Sequence, residues 1–274
     1  MMAVAAQFHF ISGLPRAGAA LLTAILNQNP RFHAGVGGPV AGMYAALLDE
    51  MGGRNESAML ISDVQRERVL RGLFEQYYAD APAGGVVFDA HRSWCSRLRS
   101  IKTLFPGAKM IACVRDISWI VDSIERVVRV NAFQPSPSFN YPSGGTVYSR
   151  CEALTTGDGM VAHAYNALRE AFYGEDSDSL LLLQYETLVE HPRQAMQAVY
   201  DFIGEAAFEH EFTDIQFDMS ELDRHVGTPG LHRVHPTIRS RSRPSVLPPD
   251  LMHRFDQDAF WTNQAVNLRQ VRIV

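Results

Sequence analysis

The stretch Phe10-Ile11-Ser12-Gly13-Leu14-Pro15-Arg16-Ala17-Gly18-Ala19-Ala20-Leu21-Leu22 joins an apolar strand, a loop bounded by two glycines and the start of a helix. Gly13 and Gly18 have the spacing of a Walker A loop, in which backbone N–H groups and a helix N-terminus bind an anion. The lysine and the hydroxyl residue that serve ATP in such a loop are replaced by Ala19 and Ala20. This replacement disfavours magnesium-dependent hydrolysis of a nucleoside triphosphate. Arg16 supplies a cation instead, so the loop predicts an anion site without a metal. An ordinary turn between a strand and a helix is the alternative.

The apolar segments predict an α/β fold with a central parallel sheet flanked by helices, because short apolar runs alternate with helical patterns. The strands that these runs predict cover residues 7–12, 86–88, 109–114 and 179–184. The helices that the 3.6-residue periodicity predicts cover about residues 21–26, 64–78, 117–128 and 192–203. No internal repeat interrupts this order, and we expect one domain over residues 1–274.

Composition and charge disfavour several classes of partner. The net charge of −5 over 274 residues argues against nucleic acid or a membrane surface as a partner, although a local basic pocket stays compatible with it. Cys95, Cys113 and Cys151 are widely spaced, as expected for reduced thiols in a cytoplasm. No apolar run reaches the length of a membrane span or has the features of a leader peptide. We therefore expect a cytoplasmic protein; the sequence predicts no oligomeric state.

Two segments lack both periodicities and predict long loops. Residues 131–150 combine prolines and glycines with aromatic side chains, which is typical of a lid over a pocket. Residues 224–249 are rich in Gly, Pro, Arg and His and include Arg233; this loop is predicted to close over a phosphate, with a solvated surface segment as the alternative. His225, His232 and His235 lie in this segment without cysteines or carboxylates at ligand spacing, so we predict no metal site.

A second group of polar residues follows the third predicted strand. Arg115 stands at the carboxyl end of that strand, where ligands of parallel sheets gather, and Ser123 lies eight residues further along the next helix. Both side chains are predicted to reach one phosphate group. The alternative is that Asp116 only caps the helix and Arg115 is its ion-pair partner.

Together these motifs resemble the sulfotransferases that use 3'-phosphoadenosine-5'-phosphosulfate (PAPS), and their bacterial small-molecule branch in particular. The resemblance is carried by the Leu-Pro-Arg-x-Gly loop, by Val-Arg-Asp with a serine eight residues after the arginine, and by Gln184-Tyr185-Glu186-Thr187-Leu188. Similar runs at residues 24–32 and 230–234 extend it over nearly the whole chain. The resemblance implies transfer of a sulfuryl group from PAPS to a hydroxyl group of a small organic acceptor, which releases adenosine 3',5'-bisphosphate (PAP).

The resemblance also implies roles for individual residues in binding the donor. Arg115 and Ser123 would bind the 3'-phosphate, Tyr185 would lie near the adenine, and Arg233 would close on the 3'-phosphate from the late loop. The residues that would bind the 5'-phosphosulfate are Gly13, Pro15, Arg16, Ala17, Gly18, Ala19, Ala20 and Leu21.

Ala19 and Ala20 depart from the family pattern, which commonly has hydroxyl residues there, and up to two hydrogen bonds to the 5'-phosphate are lost. Three interpretations stay open: an active enzyme that relies on backbone donors, a weakened loop, or a PAPS- or PAP-binding protein without turnover. A P-loop kinase of small molecules is a further alternative.

Sulfuryl transfer requires in-line placement, cations at the transferring group and a base for the acceptor hydroxyl. Arg16 is the predicted catalytic cation. His91 follows the second predicted strand at its carboxyl end and titrates in a useful range, and cytosolic sulfotransferases have their base just after the corresponding strand. The alternatives are Asp89 as the base, or His91 as a loop histidine bonded only to backbone. Arg92 is a further candidate for stabilising charge.

Overall fold

A parallel six-stranded sheet lies at the centre of the fold, flanked by helices. The computed structural model describes residues 6–133, 145–240 and 243–274. The predicted α/β class is confirmed. Among the described helices, none combines the length and apolar character required to cross a membrane.

The strand order places the glycine loop near the middle of the sheet. The strands are Gln7–Gly13 (β1), Phe32–Val36 (β2), Val86–Ala90 (β3), Met110–Val114 (β4), Leu180–Gln184 (β5) and Arg272–Ile273 (β6). Their order is β2-β3-β1-β4-β5-β6, and each neighbouring pair is parallel. The carboxyl ends of all six strands therefore meet at one edge, with β3 on one side of β1 and β4 on the other.

The four predicted strands are present, and the two edge strands, β2 and β6, were not predicted. The four central strands are almost entirely buried, which explains their continuous apolar sequences. β2 is only partly buried and contains a glycine, whereas β6 has two residues. Neither edge strand is long or apolar enough to be recognised from its own sequence.

Helices cover the connections between these strands. Their bounds are Ala19–Leu26 (α1), Val40–Glu50 (α2), Asp63–Tyr77 (α3), Leu98–Leu104 (α4), Ile117–Val130 (α5), Val147–Thr155 (α6), Met160–Tyr173 (α7), Tyr185–Glu190 (α8), Pro192–Ile203 (α9), Ser220–His225 (α10) and Pro249–His253 (α11). The four predicted helices correspond to α1, α3, α5 and α9. Ser62 and Gln65 form a capping box at the start of α3, and Gly204 ends α9 in a left-handed conformation.

Aromatic packing fixes the strand from which the glycine loop emerges. The fully buried ring of Phe10 on β1 contacts Phe74 and Trp94 edge to face, with centroid distances of 5.6 and 5.3 Å. Phe105 packs against the same group, 5.3 Å from Phe74. This cluster joins β1 to α3 and to the turn after β3, so the loops at the carboxyl ends of β1 and β3 have a common rigid base.

The two predicted loops have different outcomes. Most of the predicted lid over residues 131–150 lies outside the described residues, because 134–144 are not among them. Its predicted end is wrong: Thr146 accepts a hydrogen bond from the backbone N–H of Ser149 at 3.2 Å and caps α6, so residues 147–150 are helical. The late loop has slightly narrower bounds than predicted. It extends from 226 to 248, and its described residues contain no helix or strand.

Candidate functional site

The loop after β1 has a backbone that requires its glycines. Gly13 has φ 98°, and a Cβ atom there would lie 2.2 Å from the carbonyl oxygen of Cys113. Gly18 has φ 102° and is the N-cap residue of α1; a Cβ there would lie 3.1 Å from the Tyr185 ring. Arg16 between them also has a positive φ, 60°, which is uncommon for a residue with a side chain. The chain therefore curls into a compact loop that ends at the free N–H groups of the first turn of α1.

This loop forms the floor of a cleft of about 860 Å³ at the carboxyl ends of the strands. The predicted site residues that line the cleft are Gly13, Pro15, Arg16, Gly18, Ala19, Ala20, Leu21, His91, Arg115, Ser123, Tyr185 and Arg233. Two predicted residues do not line it. Ala17 is buried in the hydrophobic core, so its side chain has no access to a ligand there, and Asp89 is enclosed below the cleft.

Arg115 lies on the β4–β5 side of the cleft with an unsatisfied donor. Its guanidinium lies over the Tyr185 ring, 4.0 Å from the ring centroid, and its Nε atom is 3.6 Å from Glu186 Oε1. That Nε atom is buried and has no hydrogen-bond partner among the described residues. Asp116 caps α5 by accepting from the Ser118 N–H at 2.8 Å, as the alternative interpretation predicted, but the carboxylate beside Arg115 is that of Glu186. An orphaned buried donor at this place fits an anionic ligand.

Arg16 and Ser123, both predicted to bind phosphate, are in direct contact. Arg16 Nε donates a hydrogen bond to Ser123 Oγ at 3.1 Å, which connects the loop after β1 to α5. Burial lowers the pKa of Arg16, and the nearby Arg115 guanidinium lowers it further. Two like charges that are held close together in a cleft favour an anion between them.

His91 follows β3 and has a neutral imidazole near neutral pH. Burial lowers the pKa of His91 to about 4, and the charge of Arg92 contributes. Its Nδ1 atom lies 2.7 Å from Ser93 Oγ and 3.3 Å from the backbone nitrogen of Ser93. The Ser93 hydroxyl can accept from Nδ1–H, which leaves a lone pair on Nε2, whereas the backbone N–H favours the opposite tautomer. His91 can therefore act as a base or as a donor.

Asp89, which the sequence offers as the alternative base, is enclosed in a way that prevents this role. Its carboxylate is 1% exposed and accepts hydrogen bonds from the Tyr78 hydroxyl at 2.6 Å and from Trp94 Nε1 at 2.7 Å. Burial raises its pKa. Both oxygens are occupied by packing partners, so Asp89 holds α3 and the turn after β3 against the sheet.

A second buried carboxylate, that of Asp122, anchors the late loop to α5. It is fully buried and accepts from Arg126 Nε at 3.0 Å, Ser245 Oγ at 3.0 Å and the Val246 N–H at 2.7 Å, and it also bonds to Arg243. The predicted site did not include the cleft residues at this anchor, which are Trp119, Arg126 and Arg243, nor Arg239, which also lines the cleft. The arginines of the late loop were the feature of the sequence that could have indicated this anchor. Their carboxylate partner, Asp122, is far away in the chain, so the sequence does not connect the two.

Asp122→Asn should therefore destabilise the protein. The variant retains the shape of the side chain but loses its charge-assisted hydrogen bonds, at a cost of about 1–3 kcal/mol in the free energy of unfolding. Urea unfolding measures this effect. Glu152→Gln is the matched control, because Glu152 pairs with Arg254 at the surface. Equal free energies of unfolding for the two variants would show that Asp122 does not anchor the loop.

His232 is paired with a buried carboxylate at the rim of the cleft. Its Nδ1 atom lies 2.6 Å from Asp223 Oδ1, and its backbone N–H donates to Asp223 Oδ2 at 2.9 Å. Sequence reasoning considered this histidine only as a metal ligand. Among the described residues, the histidines, cysteines and carboxylates form no group of three or more that could hold a metal ion.

One protein-family model matches most of this chain. The family described as the sulfotransferase family matches residues 9–210. No curated protein matches the chain.

Several solved structures are similar to this chain. A sulfotransferase domain from the Synechococcus PCC 7002 olefin synthase is 18% identical, with 92% of this chain and 94% of that chain covered and a TM-score of 0.49. A sulfotransferase domain from the curacin biosynthetic pathway is 16% identical, with 79% and 80% covered and a TM-score of 0.48. A mouse sulfotransferase complexed with PAP is 16% identical, with 75% and 62% covered and a TM-score of 0.47.

Proposed function

We propose that this chain, which belongs to the sulfotransferase family, transfers a sulfuryl group from PAPS to a hydroxyl group of a small organic acceptor. The observation that carries the choice of donor is the buried Nε of Arg115, which has no hydrogen-bond partner in the described part of the chain, in a residue that lines the same cleft as the glycine loop. A donor with a 3'-phosphate would supply the missing acceptor, whereas AMP would not.

The cleft offers separate groups for the two ends of the donor. Residues 13–21 and the start of α1 would hold the 5'-phosphosulfate through backbone N–H groups, and Arg16 would add a positive charge. Arg115 and Ser123 would bind the 3'-phosphate, Tyr185 would lie beside the adenine, and Arg233 would approach from the late loop. When bound, PAPS supplies the activated sulfuryl group.

Two side chains are proposed to assist the chemistry. His91 Nε2 takes the proton of the acceptor hydroxyl while that oxygen bonds to sulfur, and the bond between sulfur and the 5'-phosphate oxygen breaks to leave PAP. Arg16 stabilises the charge that develops on this leaving phosphate. We further propose that the chain forms a single domain, is located in the cytoplasm and acts without a metal ion. We propose neither a nucleic acid nor a membrane as its partner.

Calorimetric titration with PAP and with AMP tests the choice of donor, and product analysis with PAPS and a panel of hydroxyl compounds tests turnover. We expect much tighter binding of PAP than of AMP, together with a sulfated product. Equal affinities would overturn the PAPS assignment. Tight PAP binding without any sulfated product would favour a non-catalytic donor-binding protein, which the absence of hydroxyls at Ala19 and Ala20 also favours. Turnover with ATP and magnesium would favour a small-molecule kinase.

Ala19→Ser combined with Ala20→Thr should tighten PAP binding or raise turnover, because the change restores up to two hydroxyl donors to the 5'-phosphate. Each net hydrogen bond contributes about 0.5–1.5 kcal/mol, which is roughly 2- to 13-fold in affinity. Both alanines line the cleft at the first turn of α1, and Ala19 also packs against the hydrophobic core. Unchanged PAP affinity and turnover would show that the backbone donors suffice.

A further inference from the structure

The sheet order divides the cleft into two sides. The loop after β1 lies between them, and the groups proposed to hold the nucleotide follow β4 and β5. The opposite side is formed by the ends of β2 and β3. Its lining residues are Val36, Gly37, Ala90, His91 and Arg92, of which only the last two carry ionisable side chains. An acceptor that approaches the sulfuryl group away from the nucleotide meets this side.

The backbone of Arg92 is fixed directly against the donor loop. Ser12 Oγ donates to the carbonyl oxygen of Arg92 at 3.1 Å and accepts from the backbone N–H of Cys95 at 3.1 Å. Ser12 is 4% exposed and immediately precedes Gly13. The neighbouring His91 N–H donates to the carbonyl of Ile11 at 3.0 Å. The position of Arg92 relative to the reacting group is therefore set by buried contacts and not by a free loop.

The Arg92 guanidinium has no counter-ion among the residues that the structure describes. Within the described ranges it forms no ion pair and no side-chain hydrogen bond, and residues 1–5, 134–144 and 241–242 contain no Asp or Glu. Three other arginines of the cleft do have a carboxylate partner: Arg126 and Arg243 share Asp122, and Arg115 faces Glu186. Arg233 and Arg239 of the late loop resemble Arg92, since neither forms an ion pair within the described ranges. Arg92 is exposed to solvent, although burial against the wall of the cleft still lowers its pKa. A cation that has no counter-ion among the described residues and stays accessible at the wall of the cleft can bind an anionic ligand.

We propose that the acceptor carries a carboxylate, which the Arg92 guanidinium binds while the acceptor hydroxyl faces His91. A guanidinium binds a carboxylate through two parallel hydrogen bonds, so the contact also orients the hydroxyl. The acceptor class is then that of hydroxy acids, and it rests on the proposed sulfotransferase function. Neutral alcohols and phenols would leave the cation without an anionic partner.

The test uses acids and their amides as matched acceptors, because the hydroxyl is the same in both and only the charge differs. The probes are 3-(4-hydroxyphenyl)propanoate, 3-hydroxybutanoate and the amide of each. Calorimetry measures their binding to the PAP-saturated protein, and kcat/KM is measured with PAPS. We expect at least one acid to bind about tenfold or more tightly than its amide. Arg92→Gln should abolish this preference, and Arg92→Lys should retain part of it.

The controls separate this inference from the proposed function. Arg92→Gln should leave PAP affinity unchanged, and Arg99→Gln, which removes an exposed arginine of α4 outside the cleft, should leave the acid preference unchanged. Failure of the wild-type protein to bind PAP would overturn the proposed function itself. Two outcomes would overturn the assignment to Arg92 and leave the proposed function intact. In the first, the wild-type protein binds PAP normally but prefers no acid over its amide. In the second, the preference for an acid survives Arg92→Gln.

Discussion

His91→Ala should lower turnover by roughly 10²–10⁴-fold and leave PAP affinity nearly unchanged, because general base catalysis usually contributes a factor of this size. The structure holds the backbone of His91 to β1 and places its ring in the wall of the cleft on the side opposite Arg115. Single-turnover rates with saturating PAPS and calorimetry with PAP measure the two quantities separately.

The pH profile distinguishes the two roles that the His91 tautomers allow. Burial lowers the pKa of His91 to about 4, so the ring of the free enzyme loses its proton well below the ordinary value of 6.5. A base must be unprotonated, and kcat/KM should therefore persist below pH 6.5 and decline only as the pH falls toward 4. A rate that instead rises as the pH falls would assign His91 as a proton donor.

Asp89→Asn is the control for the base. Because both carboxylate oxygens accept hydrogen bonds from Tyr78 and Trp94, this change should lower stability, while the folded fraction should turn over at the normal rate. Normal turnover in His91→Ala together with a folded but inactive Asp89→Asn variant would return the base role to Asp89.

Much of the site was predictable because it follows from local sequence. The glycine loop is determined by residues that are adjacent in the chain, and Arg115 and Tyr185 stand directly after buried strands whose apolar runs are conspicuous. Parallel strands bring their carboxyl ends together, so these residues reach one cleft even though they are 70 residues apart. Strand order was not required for that prediction.

The interactions that were missed depend on contacts distant in sequence. Asp122 bonds to Val246, and neither position has a sequence pattern that points to the other. Asp89 was an alternative base from the sequence, but its carboxylate on β3 bonds to the hydroxyl of Tyr78, the residue that follows α3. Ala17 lies inside the predicted loop, yet the left-handed turn at Arg16 directs its methyl group into the core. Side-chain direction in a curled loop cannot be deduced from spacing alone.

Arg115→Ala should weaken PAP binding by about 1.5–3 kcal/mol, roughly 10- to 150-fold, and change AMP binding little. The reason is the unsatisfied Nε of Arg115, whose proposed partner is the 3'-phosphate that AMP lacks. The PAP affinity of Arg115→Lys should lie between those of the wild type and of Arg115→Ala. An ammonium retains the charge but loses the planar fork and its contact over the Tyr185 ring. Calorimetry with both nucleotides measures the difference directly.

Glu186→Gln tests the same assignment from the opposite direction. Glu186 Oε1 lies 3.6 Å from Arg115 Nε, and its negative charge would repel a phosphate that approaches this arginine. Neutralising it should therefore leave PAP affinity equal or higher, while Arg193→Ala, at an exposed arginine outside the cleft, should change neither nucleotide's affinity. If Arg115→Ala weakens PAP and AMP by the same factor, Arg115 contacts a part of the ligand that both share. The 3'-phosphate would then have to be assigned to another cation of the cleft, with Arg233 as the first to be tested.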